Sequence, residues 1–132
     1  MLRVISQTGR ENSISVHLQT VSADEKYYRI LDLGDTLTAG SGCTKDGEAA
    51  RCRITSMLAS IRVETKDRKD MVTAGSDVFT SMEIHAGSGD DTIRGGDGND
   101  TIYGTGGDDA IRGGEGNDMI AGGHGNDDLD GD

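Results

Sequence analysis

The sequence predicts an all-β solenoid, a chain coiled from short strands joined by glycine turns. Two observations predict it. From residue 86 a nine-residue pattern G-G-x-G-x-D-x-U-x, with U a large aliphatic, runs through five units without a gap: 86–94, 95–103, 104–112, 113–121 and 122–130. Fifteen of the 21 glycines also follow residue 85, in a chain with no proline and 3% aromatic residues. With so few large apolar groups, regular repetition must supply the order that a conventional core would.

Each unit divides into a turn and a strand. The first six residues are rich in glycine, which bends sharply and takes positive φ without a Cβ penalty, so backbone carbonyls are exposed inside the turn. The last three, "TIY" at 101–103 or "MIA" at 119–121, suit a short strand whose alternation sends the eighth residue to one face and its neighbours to the other. Two units then make a full coil of eighteen residues. Ile93, Ile102, Ile111, Ile120 and Leu129 form its aliphatic ladder. The sixth residue is always Asp, and the coil puts Asp91, Asp109 and Asp127 on one edge and Asp100 and Asp118 on the other, expected along the outer turns. Carboxylates stacked at the ~4.8 Å strand spacing repel one another unless a cation lies between them. Carboxylate and carbonyl oxygens are hard ligands, and Ca²⁺ suits them better than zinc or copper.

At this point the residues resemble a known family: units 86–130 are similar to the hemolysin-type nonapeptide repeats of RTX proteins, which form a calcium-binding parallel β-roll. The resemblance implies that Asp91, Asp100, Asp109, Asp118 and Asp127 ligate calcium. It implies the same for the turn backbone at Gly87, Gly89, Gly96, Gly98, Gly107, Gly114, Gly116, Gly123 and Gly125. It divides the chain into an irregular β region, residues 1–74, and a β-roll, residues 75–132. Ala86 and Thr105 each replace one glycine of a pair.

The 132 residues suffice for one modest domain. The net charge of -11 argues against nucleic acid or anionic lipid as a partner. It is unevenly placed: from residue 86 twelve acids face two arginines, while residues 1–85 hold twelve acids against eleven bases. In that first part "NSISVHL" and "KYYRILDL" alternate as strands do. "GDTLTAGSG" at 34–42 and "KDMVTAGS" at 69–76 echo the repeat, so early solenoid rungs are expected around Leu37, Ile61, Val63 and Val72. In the unit before residue 86, Met82 stands where Asp belongs, and no ion is expected there. The stretch "GSGCTKDGEAARCRI" with "SIRVETKDRKDMVTAG" resembles the upstream part of secreted actinobacterial calcium-binding proteins. Its turn "KDRKD" keeps Asp67 and Asp70 but has Arg68 and Lys69 for glycines, which disfavours an ion.

Cys43 and Cys52 enclose a turn-like "KDGE" segment. A disulfide there would constrain the unfolded chain by about 2–3 kcal/mol and belong to an extracellular setting; two free thiols are the alternative. "MLRVISQTGR" has no apolar run of signal-peptide length, so a trimmed chain or another export signal is expected. No stretch approaches a membrane helix. The three histidines, His17, His85 and His124, form no H-E-x-x-H array, and no G-x-S-x-G elbow occurs, so no enzyme is expected. Tyr27, Tyr28 and Arg29 make a small patch whose plainest role is packing. The expected function is extracellular calcium binding coupled to folding, with a calcium-dependent adhesion module or the secretion tail of a larger enzyme as alternatives. No macromolecular partner is named; because solenoids expose an uncovered last coil, either fraying of the last unit or self-association through the open C-terminal edge is expected.

Overall fold

The computed structural model describes residues 13–16 and 60–132 throughout, and elsewhere only the backbone of the strand residues 2–5, 17–22, 25–32, 43–46 and 49–53. Among the described residues every regular element is a strand. In the first half these are β1 (Leu2–Ile5), β2 (Ser13–Ser22), β3 (Glu25–Asp32), β4 (Cys43–Asp46), β5 (Ala49–Arg53), β6 (Ile61–Asp67) and β7 (Met71–Ala74). The repeats supply β8 (Met82–Ser88), β9 (Thr92–Gly96), β10 (Thr101–Gly106), β11 (Ala110–Gly114), β12 (Met119–His124) and β13 (Asp128–Asp130).

From β6 onward successive strands alternate between two sheets, as a coil with two straight sides requires. One sheet runs β1-β6-β8-β10-β12, and the other contains β13-β11-β9-β7-β2. All pairings within these runs are parallel. The register stacks like on like: Ile84 beside Ile102 and Ile102 beside Ile120, and on the facing sheet Val72 beside Ile93, Ile93 beside Ile111 and Ile111 beside Leu129. The chain is a parallel β-solenoid whose interior is the ladder read from the eighth position of each unit.

Early rungs extend that ladder. Ile61, Val63 and Val72 are buried beside Ile14, Val16 and Ile84, so the coil begins before the strict repeats. Leu37 lies outside the described residues. β2 pairs in parallel with β7 over Ser13–Val16 and, on its other side, antiparallel with β3 from Ile14 to Ser22, and β5 and β4 continue that sheet as a meander. The step from β6 to β8 spans 21 residues, as Thr65 and Ala86 illustrate, against 18 for each later coil. The three extra residues fall in the turn between β7 and β8, which buries Val78 and leaves Phe79 68% exposed. At the other end cover runs out: Ile102 is fully buried, Ile120 only partly, and Leu129 is 47% exposed.

Candidate metal centre

The turns of the strict repeats place each sixth-position Asp beside the preceding coil. Asp91, Asp100 and Asp109 are buried, at 1–2% exposure. This corrects the expectation of acids along the outer surface, and hydrogen bonding is the reason. One carboxylate oxygen, Oδ1, accepts the backbone N–H of its counterpart one coil earlier. Along one edge Asp70 donates to Asp91 (2.8 Å), Asp91 to Asp109 (2.9 Å) and Asp109 to Asp127 (3.0 Å). Along the other, Met82 donates to Asp100 (2.7 Å) and Asp100 to Asp118 (2.8 Å). Met82 thus fills the Asp place with its backbone donor intact and its side chain in the core.

The second oxygen carries the site. Oδ2 of Asp91, Asp100, Asp109 and Asp118 is buried without a hydrogen-bond donor among the described residues. Loss of solvent is the largest cause that pushes Asp91 and Asp100 up to about 7, with neighbouring carboxylates adding to it; Asp109 is raised for the same reasons. A charged carboxylate in such a place needs a cation.

The Oδ2 atoms lean over glycines that begin each unit. A Cβ added at Gly95 would run into Asp100 Oδ2 and lie 2.7 Å from the Gly113 carbonyl oxygen of the next coil. At Gly104 the same space is bounded by Asp109 Oδ2 and, at 2.6 Å, the Gly122 carbonyl oxygen. Asp118 Oδ2 approaches Gly113, and Asp127 Oδ2 approaches Gly122. Among the described residues no three His, Cys, Asp or Glu side chains converge, so backbone carbonyls must complete any coordination shell. An oxygen-only set of carboxylate and carbonyl fits Ca²⁺, which takes six to eight such ligands at loose angles. When bound, the ion would supply the positive charge that the buried Oδ2 atoms lack.

Gly95, Gly104, Gly113 and Gly122 escaped the sequence reading, which chose the second and fourth positions of each turn. One signal could have found them: the first glycine persists at 104 where the second has become Thr105. Of the chosen glycines, Gly98 alone lacks positive φ; the other eight, Gly87, Gly89, Gly96, Gly107, Gly114, Gly116, Gly123 and Gly125, lie between 101° and 135°. Their visible task is close stacking. A Cβ on Gly107 would strike the Gly89 carbonyl oxygen one coil earlier. The "KDRKD" turn also reads differently in three dimensions: Lys66 pairs with Gly87 and the Arg68 carbonyl sits against Gly89, so Lys66 and Arg68, and not Arg68 and Lys69, take the glycine places. Both adopt positive φ, 87° and 75°.

The remaining candidates stand apart from these turns. His85 lies 2.9 Å from Glu83 and stacks on Tyr103 at 4.9 Å, and His124 is exposed. For His17, Tyr27, Tyr28 and Arg29 only the strand backbone is described, and their side chains lie outside the described residues. Cys43 and Cys52 likewise have only backbone described, in which they stand directly opposite each other across β4 and β5. No helix among the described residues is long and apolar enough to cross a membrane.

What this fold and these turns define is a repeat-built, oxygen-lined cation binder. Residues 83–110 and 103–132 match the family model of the RTX calcium-binding nonapeptide repeat (4 copies), and the segment is an array of these repeats, which bind Ca²⁺. Repeats of this kind are typical of secreted proteins and serve as a structural module. No curated protein and no solved structure matches the chain.

Proposed function

We propose that this protein is a secreted, non-catalytic calcium-binding module whose C-terminal coils fold when the ion binds. The observation that carries this reading is the row of buried Asp Oδ2 atoms without hydrogen donors among the described residues, of which those of Asp100, Asp109 and Asp118 lean over glycines. In it, Asp91, Asp100, Asp109, Asp118 and Asp127 ligate calcium with turn carbonyls, and the ions tie each coil to the next. Residues 86–132, with a net charge of -10, are too acidic and too rich in glycine to order alone. The division into residues 1–74 and 75–132 then separates a part rich in bases from one that depends on ions.

The register of β4 and β5 supports a Cys43–Cys52 disulfide. Opposed residues of an antiparallel pair stand roughly 4.5–5.5 Å apart at Cα, within the ~4.4–6.8 Å span of disulfides. Such a bond fits an oxidising compartment, where calcium is plentiful.

Circular dichroism and native mass spectrometry during a calcium titration test the reading. β signal should rise as ions bind, with affinity of order 10⁻⁴–10⁻³ M, as in extracellular modules. Asp109→Asn, which lies between Asp91 and Asp127 in its ladder, should lose more bound calcium than Asp127→Asn at the exposed end. A spectrum unchanged by excess chelator would sink the proposal.

A further inference from the structure

The first turn of the repeat edge, residues 65–70, keeps the buried sixth-position Asp of the later ones, Asp70, but differs from them at the glycine places. Thr65 occupies the place of the first glycine, 21 residues before Ala86, and its buried Oγ1 donates a 2.7 Å hydrogen bond to the Ala86 carbonyl oxygen. In the later coils the matching carbonyls, Gly113 and Gly122, instead face the Oδ2 of Asp100 and Asp109 over Gly95 and Gly104. Ala86 itself is buried and carries a methyl group where those turns leave the space to a carboxylate oxygen.

Four neighbouring features act in the same direction. Lys66 and Arg68 bring positive charge into the glycine places of this turn. On the outer face Arg62 bridges Glu64 (2.7 Å) and Glu83 (3.0 Å), while Lys66 holds Glu64 (3.0 Å), so β6 and β8 are tied by protein charges. Beneath them Ile61, Val63, Val72, Val78, Met82 and Ile84 give these coils a continuous aliphatic interior. Residues 60–85 hold five acids against four bases, so like-charge repulsion is nearly cancelled.

We propose that the Thr65 hydroxyl takes the place of a calcium ion in this turn, and that the coils built on β6, β7 and β8 fold without calcium and template the ion-dependent coils after them. The inference rests on the calcium-coupled folding proposed above. A donor O–H satisfies the Ala86 carbonyl as a cation would, and it does so at any calcium concentration. The pre-formed edges of β7 and β8 then offer strand groups on which β9 and β10 pair. Calcium-dependent order should therefore grow from Asp91 toward Asp127.

Amide hydrogen exchange on the full chain, read by mass spectrometry with calcium or with chelator, tests this. In chelator the amides of Ile61–Asp67 and Met82–Ser88 should exchange about tenfold or more slowly than those of Thr101–Gly106 and Met119–His124. Thr65→Val, which keeps the shape and removes the donor, should abolish that protection in chelator. Thr65→Ser, which keeps the donor, should preserve it. Equal exchange in all four strands in chelator, or the same result for Thr65→Val and Thr65→Ser, would overturn the proposal. Thr65→Gly with Ala86→Gly should admit an additional ion by native mass spectrometry, and an unchanged count would speak against ion replacement. If calcium altered exchange nowhere in the chain, the proposed function itself would fail. If calcium ordered Thr101–His124 while Ile61–Asp67 stayed unprotected in chelator, this inference alone would fail.

Discussion

Between Ile61 and Val72 the solenoid buries Ile61, Val63, Thr65, Asp70 and Val72, with arginine and lysine on its outer face; between Thr101 and Asp118 it buries Ile102, Ile111 and Asp109. The backbone path is the same, and the parallel register runs through both regions without a break. The difference shows that a solenoid coil needs a filled interior and neutralised turns, but leaves the means open. The early coil packs several aliphatic side chains and gives the Ala86 carbonyl a hydroxyl donor, whereas the later ones bury one aliphatic residue per unit and hold carboxylate oxygens without hydrogen donors among the described residues.

The sharpest way to break this comparison is to remove the single aliphatic group of a late strand. Ile102→Ala should destabilise the calcium-loaded protein by about 2–5 kcal/mol, because the residue is fully buried. Leu129→Ala, at 47% exposure, should cost clearly less. Denaturant unfolding in saturating calcium measures both, and equal losses would show that cover does not run out along the coil.

Acidity gives a smaller effect, confined to the late coils. Asp91 and Asp100 are pushed up to about 7 by burial, and Asp109 is raised from its usual 3.8. For an acid raised in the folded state, the stabilisation is complete below the ordinary carboxylate value and is lost as pH climbs through about 7. In chelator, β signal should therefore increase as pH falls from 8 toward 4. A flat titration would mean that these carboxylates are hydrated when calcium is absent.

The smallest effect sharpens the role of the turn backbone. Thr105 is a β-branched residue at φ 92°, where neighbouring units have glycine. Thr105→Gly should stabilise the loaded protein by about 1 kcal/mol, the usual cost of a left-handed conformation for a residue with Cβ. A loss of stability in thermal unfolding would show that the Thr105 side chain makes a contact worth more than that strain.

Strict periodicity made the late coils legible. A nine-residue period fixed the strand positions, the aliphatic ladder and the separation of Asp91 from Asp100, because each unit meets the same neighbours as the last. The inward turn of the carboxylates was hidden, since a run of acids ordinarily belongs in water and only the coil-to-coil hydrogen bonds from Asp91 and Asp109 reverse that. The turn at 65–70 was hidden for a different reason: Thr65, Lys66 and Arg68 replace all three glycines, and the extra residues before Met82 lengthen the period from 18 to 21. The pairing of Leu2 with Ile61 is long-range and crosses the whole inserted meander, so no local pattern could announce it.

The carboxylate ladders also give the molecule a mechanical grain. Asp109 holds the coil before it through Oδ1 and is joined through its own N–H to Asp127 in the coil after it, so the links run in series. Tension applied at the C-terminal end would peel the outermost coil first, because each inner coil stays paired on both sides until its outer neighbour has left. Each detached coil of 18 residues would lengthen the chain by roughly 60 Å at ~3.3–3.6 Å per residue. The array would then yield as a ratchet of equal increments, one coil at a time.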